Sequence, residues 1–180
     1  MKNLKIKLSK ATRLKSELER SIEKDNELIE EWNSIPENNK REVDIDAIEE
    51  IKDIKSEFLI ELNIIIQEAN FKKAKGEKRP NAYCIKKLSE LQRERKHLQL
   101  IKTTDGQQQV AVTETSKKKN TFIKYTAHLK FSDVISRVKK IDSEIQALKN
   151  KLSNFNDQTE ITIKVDNQLL PYLELVGIEY

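Results

Sequence analysis

The stretch VISRVKKIDSEIQALKNKLSNF, residues 134–155, decides the fold class. Its apolar side chains Val134, Val138, Ile141, Ile145, Leu148, Leu152 and Phe155 alternate spacings of four and three without a fault, the period of one helix face in a coiled coil or bundle. Burying a whole Val, Leu or Ile side chain gains about 1.5–3 kcal/mol, so a stripe of this kind requires a partner helix, in the same chain or another. These seven residues are therefore expected as a core or oligomer stripe. Ser132 or Asp133 is placed to cap the helix they define.

Three further helices are expected upstream. Leu4, Leu8, Ala11, Leu18, Ile22, Ile29 and Trp32 recur at helical spacing, with Lys15 and Asp25 in the two slots that break the stripe. They predict a first helix of about thirty residues, more than twice the average length. A loop with Pro36 follows over Ser34–Val43, and Asp46 with Glu49 three residues later has the form of a capping box opening the second helix. That helix carries Ile48, Ile51, Phe58, Leu62, Ile65 and Ala69, widened by Ile54, Leu59 and Ile66. A basic turn over Asn70–Asn81 holds Gly76 and Pro80, and a third helix runs from about Ala82 to Ile101, with Tyr83, Leu88, Leu91, Leu98 and Ile101 on one side.

After Asp105-Gly106 the period changes to two. Val110 and Val112 predict one short strand, Ile123, Tyr125, Ala127 and Leu129 a second, and Ser116–Asn120 the hairpin tip between them. Ile161, Ile163 and Val165 alternate with Thr162 and Lys164 as a last strand, and Leu169–Tyr180 is apolar enough to dock. The fold expected is mainly α: four helices in an extended coiled-coil-like bundle with a small β-hairpin and a C-terminal strand. As one domain it comprises a bundle over 1–160 with a hairpin insertion near 107–130, and a strand and tail extension over 161–180.

Composition agrees with long elements and a thin core. Of 180 residues 37% are hydrophobic and 36% charged, with three Gly and three Pro, against averages of about 45–50% apolar and about 25% charged. One cysteine, Cys84, excludes an internal disulfide, and no second one is available for a zinc site, which points to the cytoplasm. The opening Met-Lys-Asn-Leu-Lys-Ile-Lys lacks the apolar stretch of a signal peptide, and Leu62–Ile66 falls far short of the about 20 apolar residues of a transmembrane helix.

The net charge of +4 conceals a polarity. Glu17–Glu68 has 6 Lys and Arg against 17 Asp and Glu, whereas Ala69–Lys102 has 11 against 3. Candidate partners of the basic stretch are nucleic acid, an acidic protein or the acidic helices of the same chain. Lys72, Lys73, Lys75, Lys78, Arg79, Lys86, Lys87 and Arg93, followed by Arg95 and Lys96, offer phosphate contacts, with Phe71 or Tyr83 to stack on a base. Antiparallel pairing of the second and third helices would instead neutralise them, and this is the favoured reading. The lysines at the hairpin tip read as a guard against aggregation.

No catalytic constellation is legible. His97 and His128 have no partner at metal-ligand spacing, Cys84 reads as a packed thiol, Glu49 and Glu50 point to different sides of a helix, and Gly76 lacks the surroundings of a phosphate loop. No cofactor is expected, and the chain is read as no enzyme.

The order of elements resembles a family of small bacterial helical proteins labelled septicolysin-like. The match runs over about residues 1–161: an opening Met-Lys helix, Ile66-Gln67-Glu68-Ala69-Asn70 ending the second helix, a charged helix over Asn81–Ile101, and Asn154-Phe155 with Thr159-Glu160-Ile161 after the last. Gln67 and Ala69 depart from the Ile-Asn-x-Thr-Asn usual there, Phe155 replaces a Trp, and residues after Val165 look like an addition. The resemblance implies a helical, coiled-coil-rich fold with no agreed activity and no functional residue to carry over. The function expected is a structural or interaction protein that self-associates through amphipathic helices, as a homo-oligomer or with a protein partner. Nucleic-acid binding through the basic turn and third helix is the alternative, and a membrane-active pore-forming assembly is the remote one.

Overall fold

The computed structural model describes residues 2–36, 42–74, 76–114 and 117–179. Among these the chain is mainly helical with short antiparallel strands: β1 (Lys2–Lys7), α1 (Leu8–Trp32), α2 (Ile45–Asn70), α3 (Asn81–Leu100), β2 (Gly106–Glu114), β3 (Lys117–Tyr125), α4 (Phe131–Gln158), β4 (Glu160–Val165), a 3-10 turn (Asn167–Leu169) and α5 (Leu170–Leu175). It divides into two compact units, Met1–Tyr83 with Lys151–Tyr180, and Cys84–Asn150. The buried apolar residues form two clusters, one in each unit, rather than the single core of a four-helix bundle.

In the first unit β1 pairs antiparallel with β4, Leu4 opposite Ile163 and Ile6 opposite Ile161. The expected first helix is thus too long at its start: residues 2–7 are a strand. Leu4 and Ile6 alternate with Lys5 and Lys7 as well as Leu4 and Leu8 fit a helix, and β4 supplies the ladder that settles the choice. The ladder also takes the place of a cap. The N–H of Leu8, first residue of α1, donates to the Thr159 carbonyl at 2.8 Å, and no side chain caps the helix. Ile161, Ile163 and Val165 are buried on one face of β4 while Glu160, Thr162 and Lys164 are exposed, as the alternation predicts.

Helix α1 packs along α2. Leu8, Ala11, Leu14 and Leu18 meet Phe58, Leu62 and Ala69, and Leu169, Leu173 and Ile178 close the cluster. The expected tail extension is therefore part of this core from Ile161 to Ile178. The cap of α2 is Asp44, whose carboxylate accepts the Ala47 N–H at 3.2 Å, and Asp46 lies in the first turn, where its charge suits the helix dipole. The capping box expected at Asp46 and Glu49 is not formed: the cap lies two residues earlier, and Ala47, at the position that would have to reciprocate, has no side chain to do so. Past α2, the Glu77 N–H returns to the Ala74 carbonyl at 3.0 Å, with Gly76 at φ +83°, a conformation that strains any side chain. Asn81 shuts this loop, donating its backbone N–H to the Lys72 carbonyl and its amide to Asn70 Oδ1 at 2.6 Å.

In the second unit α3 packs on α4 through Leu91, Leu98, Val134, Ile141 and Ile145, with Leu88, Ile101, Leu129, Val138 and Leu148 around them. Arg95 joins the two helices by an ion pair to Asp142 at 2.6 Å. The expected antiparallel pairing of the second and third helices is not what these cores contain: α2 is spent on α1, and α3 on α4. Strands β2 and β3 form a two-stranded ladder in which Glu114 faces Lys117. The lysines expected at the hairpin tip, Lys117 to Lys119, belong to β3, while Thr115 and Ser116 lie outside the described residues. Strand β3 ends at Tyr125, so Ala127, His128 and Leu129 fall in the turn before α4 instead of a strand. Helix α4 begins at Phe131, which leaves Ser132 and Asp133 inside its first turn and not at the cap.

Candidate functional site

Ser21 and Asp25 are four residues apart on α1 and therefore share a face. Lys55 of α2 enters between them. Its side chain is 3% exposed, with Nζ 2.5 Å from Asp25 Oδ2 and 2.9 Å from Ser21 Oγ. Tyr172 of α5 completes the group: its hydroxyl is 3.0 Å from Ser21 Oγ, and the ammonium lies 5.2 Å from its ring centre. Burial disfavours the ammonium, but its hydrogen bond to Asp25 and its interactions with Tyr172 outweigh that, so the Lys55 pKa is raised above the usual lysine value.

A serine hydroxyl beside a lysine is the arrangement of a nucleophile and its base. Here the base is disarmed, because an ammonium held by a carboxylate has no lone pair to accept the serine proton. The cluster ties α1, α2 and α5 together. Reading the apolar stripe alone misses it, yet both signals stand in the sequence: Asp25 breaks the α1 stripe, and Lys55 occupies the slot between Ile51 and Phe58 in α2.

The α4 stripe is used within the chain. Val134, Ile141, Ile145 and Phe155 are buried, and Val138, Leu148 and Leu152 partly so. Val134 to Leu148 face the α3 core, and Phe155 belongs to the core of the first unit.

The basic residues are on the surface. Lys72, Lys73, Lys78, Arg79, Lys86, Lys87 and Arg93 are exposed, and Lys75 lies outside the described residues. Arg79 stacks on Tyr83, 4.1 Å from its ring centre, and Arg93 pairs with Glu90 of its own helix at 3.1 Å. By sequence, Cys84–Asn150 carries 15 Lys and Arg against 7 Asp and Glu, a balance of +8, while the rest of the chain carries 19 against 23.

One surface feature was not anticipated. Opposite its core face, α2 presents Ile60, Ile64 and Phe71 at spacings of four and seven, 61%, 52% and 72% exposed, with Gln67 between them. Carried back along the helix at the same spacing, this outer stripe becomes Glu57, Asp53, Glu49 and Asp46, all exposed. Its C-terminal half is thus apolar and its N-terminal half acidic, and Lys72 and Lys73 follow the last turn.

The remaining candidates are dispersed. Cys84 is buried near the start of α3, His97 is exposed in the last turn of that helix, and His128 is exposed before α4. Among the described residues no three His, Cys, Asp or Glu converge as metal ligands, and no helix is long and apolar enough to cross a membrane. A concavity of about 490 Å³ beside Thr12, Arg13 and Leu175 is open to solvent. No family model, curated protein or solved structure matches the chain.

Proposed function

We propose that the protein is a structural or interaction protein, without enzymatic activity, that self-associates through an amphipathic helix and works in the cytoplasm. The observation that carries this reading is the second apolar face of α2. Its first face is satisfied by α1, β4 and the C-terminal segment, while Ile60, Ile64 and Phe71 stand in water on the other side. Large apolar side chains gathered on one exposed helix face mark an association surface. The single buried cysteine suits a reducing compartment. Light scattering at micromolar concentration tests the proposal: the wild type runs at twice 21.0 kDa or more, and Ile64→Asp shifts it toward the monomer. A wild-type mass of one chain sinks it.

Nucleic-acid binding is the second reading, favoured by the exposure of Lys72, Lys73, Lys78, Arg79, Lys86 and Lys87 and by the +8 balance of the second unit. It requires retention on immobilised nucleic acid that falls steeply with salt and is lost on replacing Lys72, Lys73, Lys78 and Arg79 by Glu. Weak retention indifferent to those changes rejects it.

A further inference from the structure

We infer that the occupant of the outer face of α2 is the same face of a second copy, laid antiparallel about a twofold axis; this rests on the self-association proposed above. The charges along the helix select the direction. A parallel pairing sets Asp46, Glu49, Asp53 and Glu57 against themselves, four like-charged levels. An antiparallel pairing centred on the apolar half places Ile60 level with the partner's Phe71 and Ile64 level with the partner's Gln67. The acidic half of each copy then runs past the end of the other α2 toward its basic turn.

The last turn of α2 continues through Phe71, which keeps helical φ and ψ, to Lys72, whose N–H still reaches the Ala69 carbonyl at 3.1 Å. In the antiparallel register Lys72 lies between the levels of the partner's Glu57 and the partner's Glu61, all on one flank of the seam. The arrangement is isologous: each such pairing occurs twice, once on either side of the axis. It also leaves one unfavourable approach, Glu68 beside the partner's Glu61, which makes the association weaker than the apolar seam alone would give.

That approach provides the decisive test. Dissociation constants are measured by sedimentation for the full chain, with circular dichroism as a check on folding; all the positions changed are exposed, so the monomer keeps its helicity. Glu68→Lys meets the partner's Glu61 and tightens the dimer several-fold. Glu57→Lys and Lys72→Glu each weaken it, and mixing those two variants restores association, because each then offers the other the charge it lacks. Added salt shrinks the gain of Glu68→Gln over the wild type, because screening removes the repulsion that this change relieves. If Glu68→Lys weakens the dimer, Glu68 does not approach the partner's Glu61 and the inference falls while self-association stands. If the wild type associates but Ile60→Asp, Ile64→Asp and Phe71→Asp do not change its mass, the occupied face is elsewhere and the inference is again overturned. A monomeric wild type overturns the underlying proposal as well.

Discussion

The Lys55 ammonium and the Asp25 carboxylate stand 2.5 Å apart between α1 and α2, the lysine side chain 3% exposed and the aspartate 14%. Each occupies a stripe position that an apolar residue would otherwise fill, so the seam between the helices carries a buried ion pair in place of two aliphatic side chains. Ser21 and Tyr172 satisfy the polar atoms around it, and through Tyr172 the pair also holds α5. Such a pair adds little net stability over an apolar replacement and costs a great deal when half of it is removed.

Asp25→Ala leaves the ammonium without its counter-ion and is expected to cost about 3 kcal/mol in urea denaturation. The double change Asp25→Leu with Lys55→Met removes both charges and should return the protein to wild-type stability or above. If the single change is as mild as the double one, the pair is solvated and its reading as a buried tie is wrong.

The raised pKa of Lys55 fixes the direction of a pH effect. A group whose native pKa exceeds its unfolded value stabilises fully below the unfolded pKa, about 10.4 for lysine, and this contribution is lost as pH rises through the native value. Wild type should therefore lose melting temperature from about pH 10 upward more steeply than Lys55→Met, which lacks the group. Parallel curves for the two proteins would contradict the assignment.

Ile141 and Ile145 are buried against α3, whereas Ile64 is half exposed on α2. Ile141→Ala or Ile145→Ala should cost about 2–4 kcal/mol through lost burial and the cavity left behind. Ile64→Ala should leave the stability of the monomer within about 0.5 kcal/mol. Ile141→Asp with Ile145→Asp should strip helicity from the second unit, seen by circular dichroism, because both carboxylates would enter a cluster of apolar side chains.

Ending the chain after Val165 removes Leu169, Leu173 and Ile178, all buried in the first core. At about 1.5–3 kcal/mol for each, this truncation should lower the melting temperature sharply and expose Ile163 and Leu18 to a hydrophobic dye. A tail that merely extends the domain would leave both measurements unchanged.

Much of the helical framework is legible in the chain itself because a helix face is a local, periodic property. The faultless alternation from Val134 to Phe155, the Phe58-Leu62-Ile65-Ala69 run and the Ile161-Ile163-Val165 alternation each define an element with one buried face. The start of α1 was not legible, since Leu4, Ile6 and Leu8 satisfy two periods at once. The outer face of α2 was hidden for a related reason: Ile60 and Ile64 stand among so many isoleucines that a single broad stripe absorbs the pattern. Lys55 is hidden in the sequence because a charge inside a stripe reads as an interruption.

Periodicity and composition by themselves determined the four long helices apart from the start of the first, the core face of each, and that the core is thin for a chain so rich in charge. Pairing was decided only in three dimensions. That β1 is a strand depends on β4, more than 150 residues away; that α2 joins α1 and α3 joins α4 depends on how the side chains fit, and charge balance alone pointed to the other pairing. The physical reason is that burial and hydrogen bonding reward a specific partner, whereas the opposite charges of exposed helices attract only weakly through water and leave the choice of neighbour open.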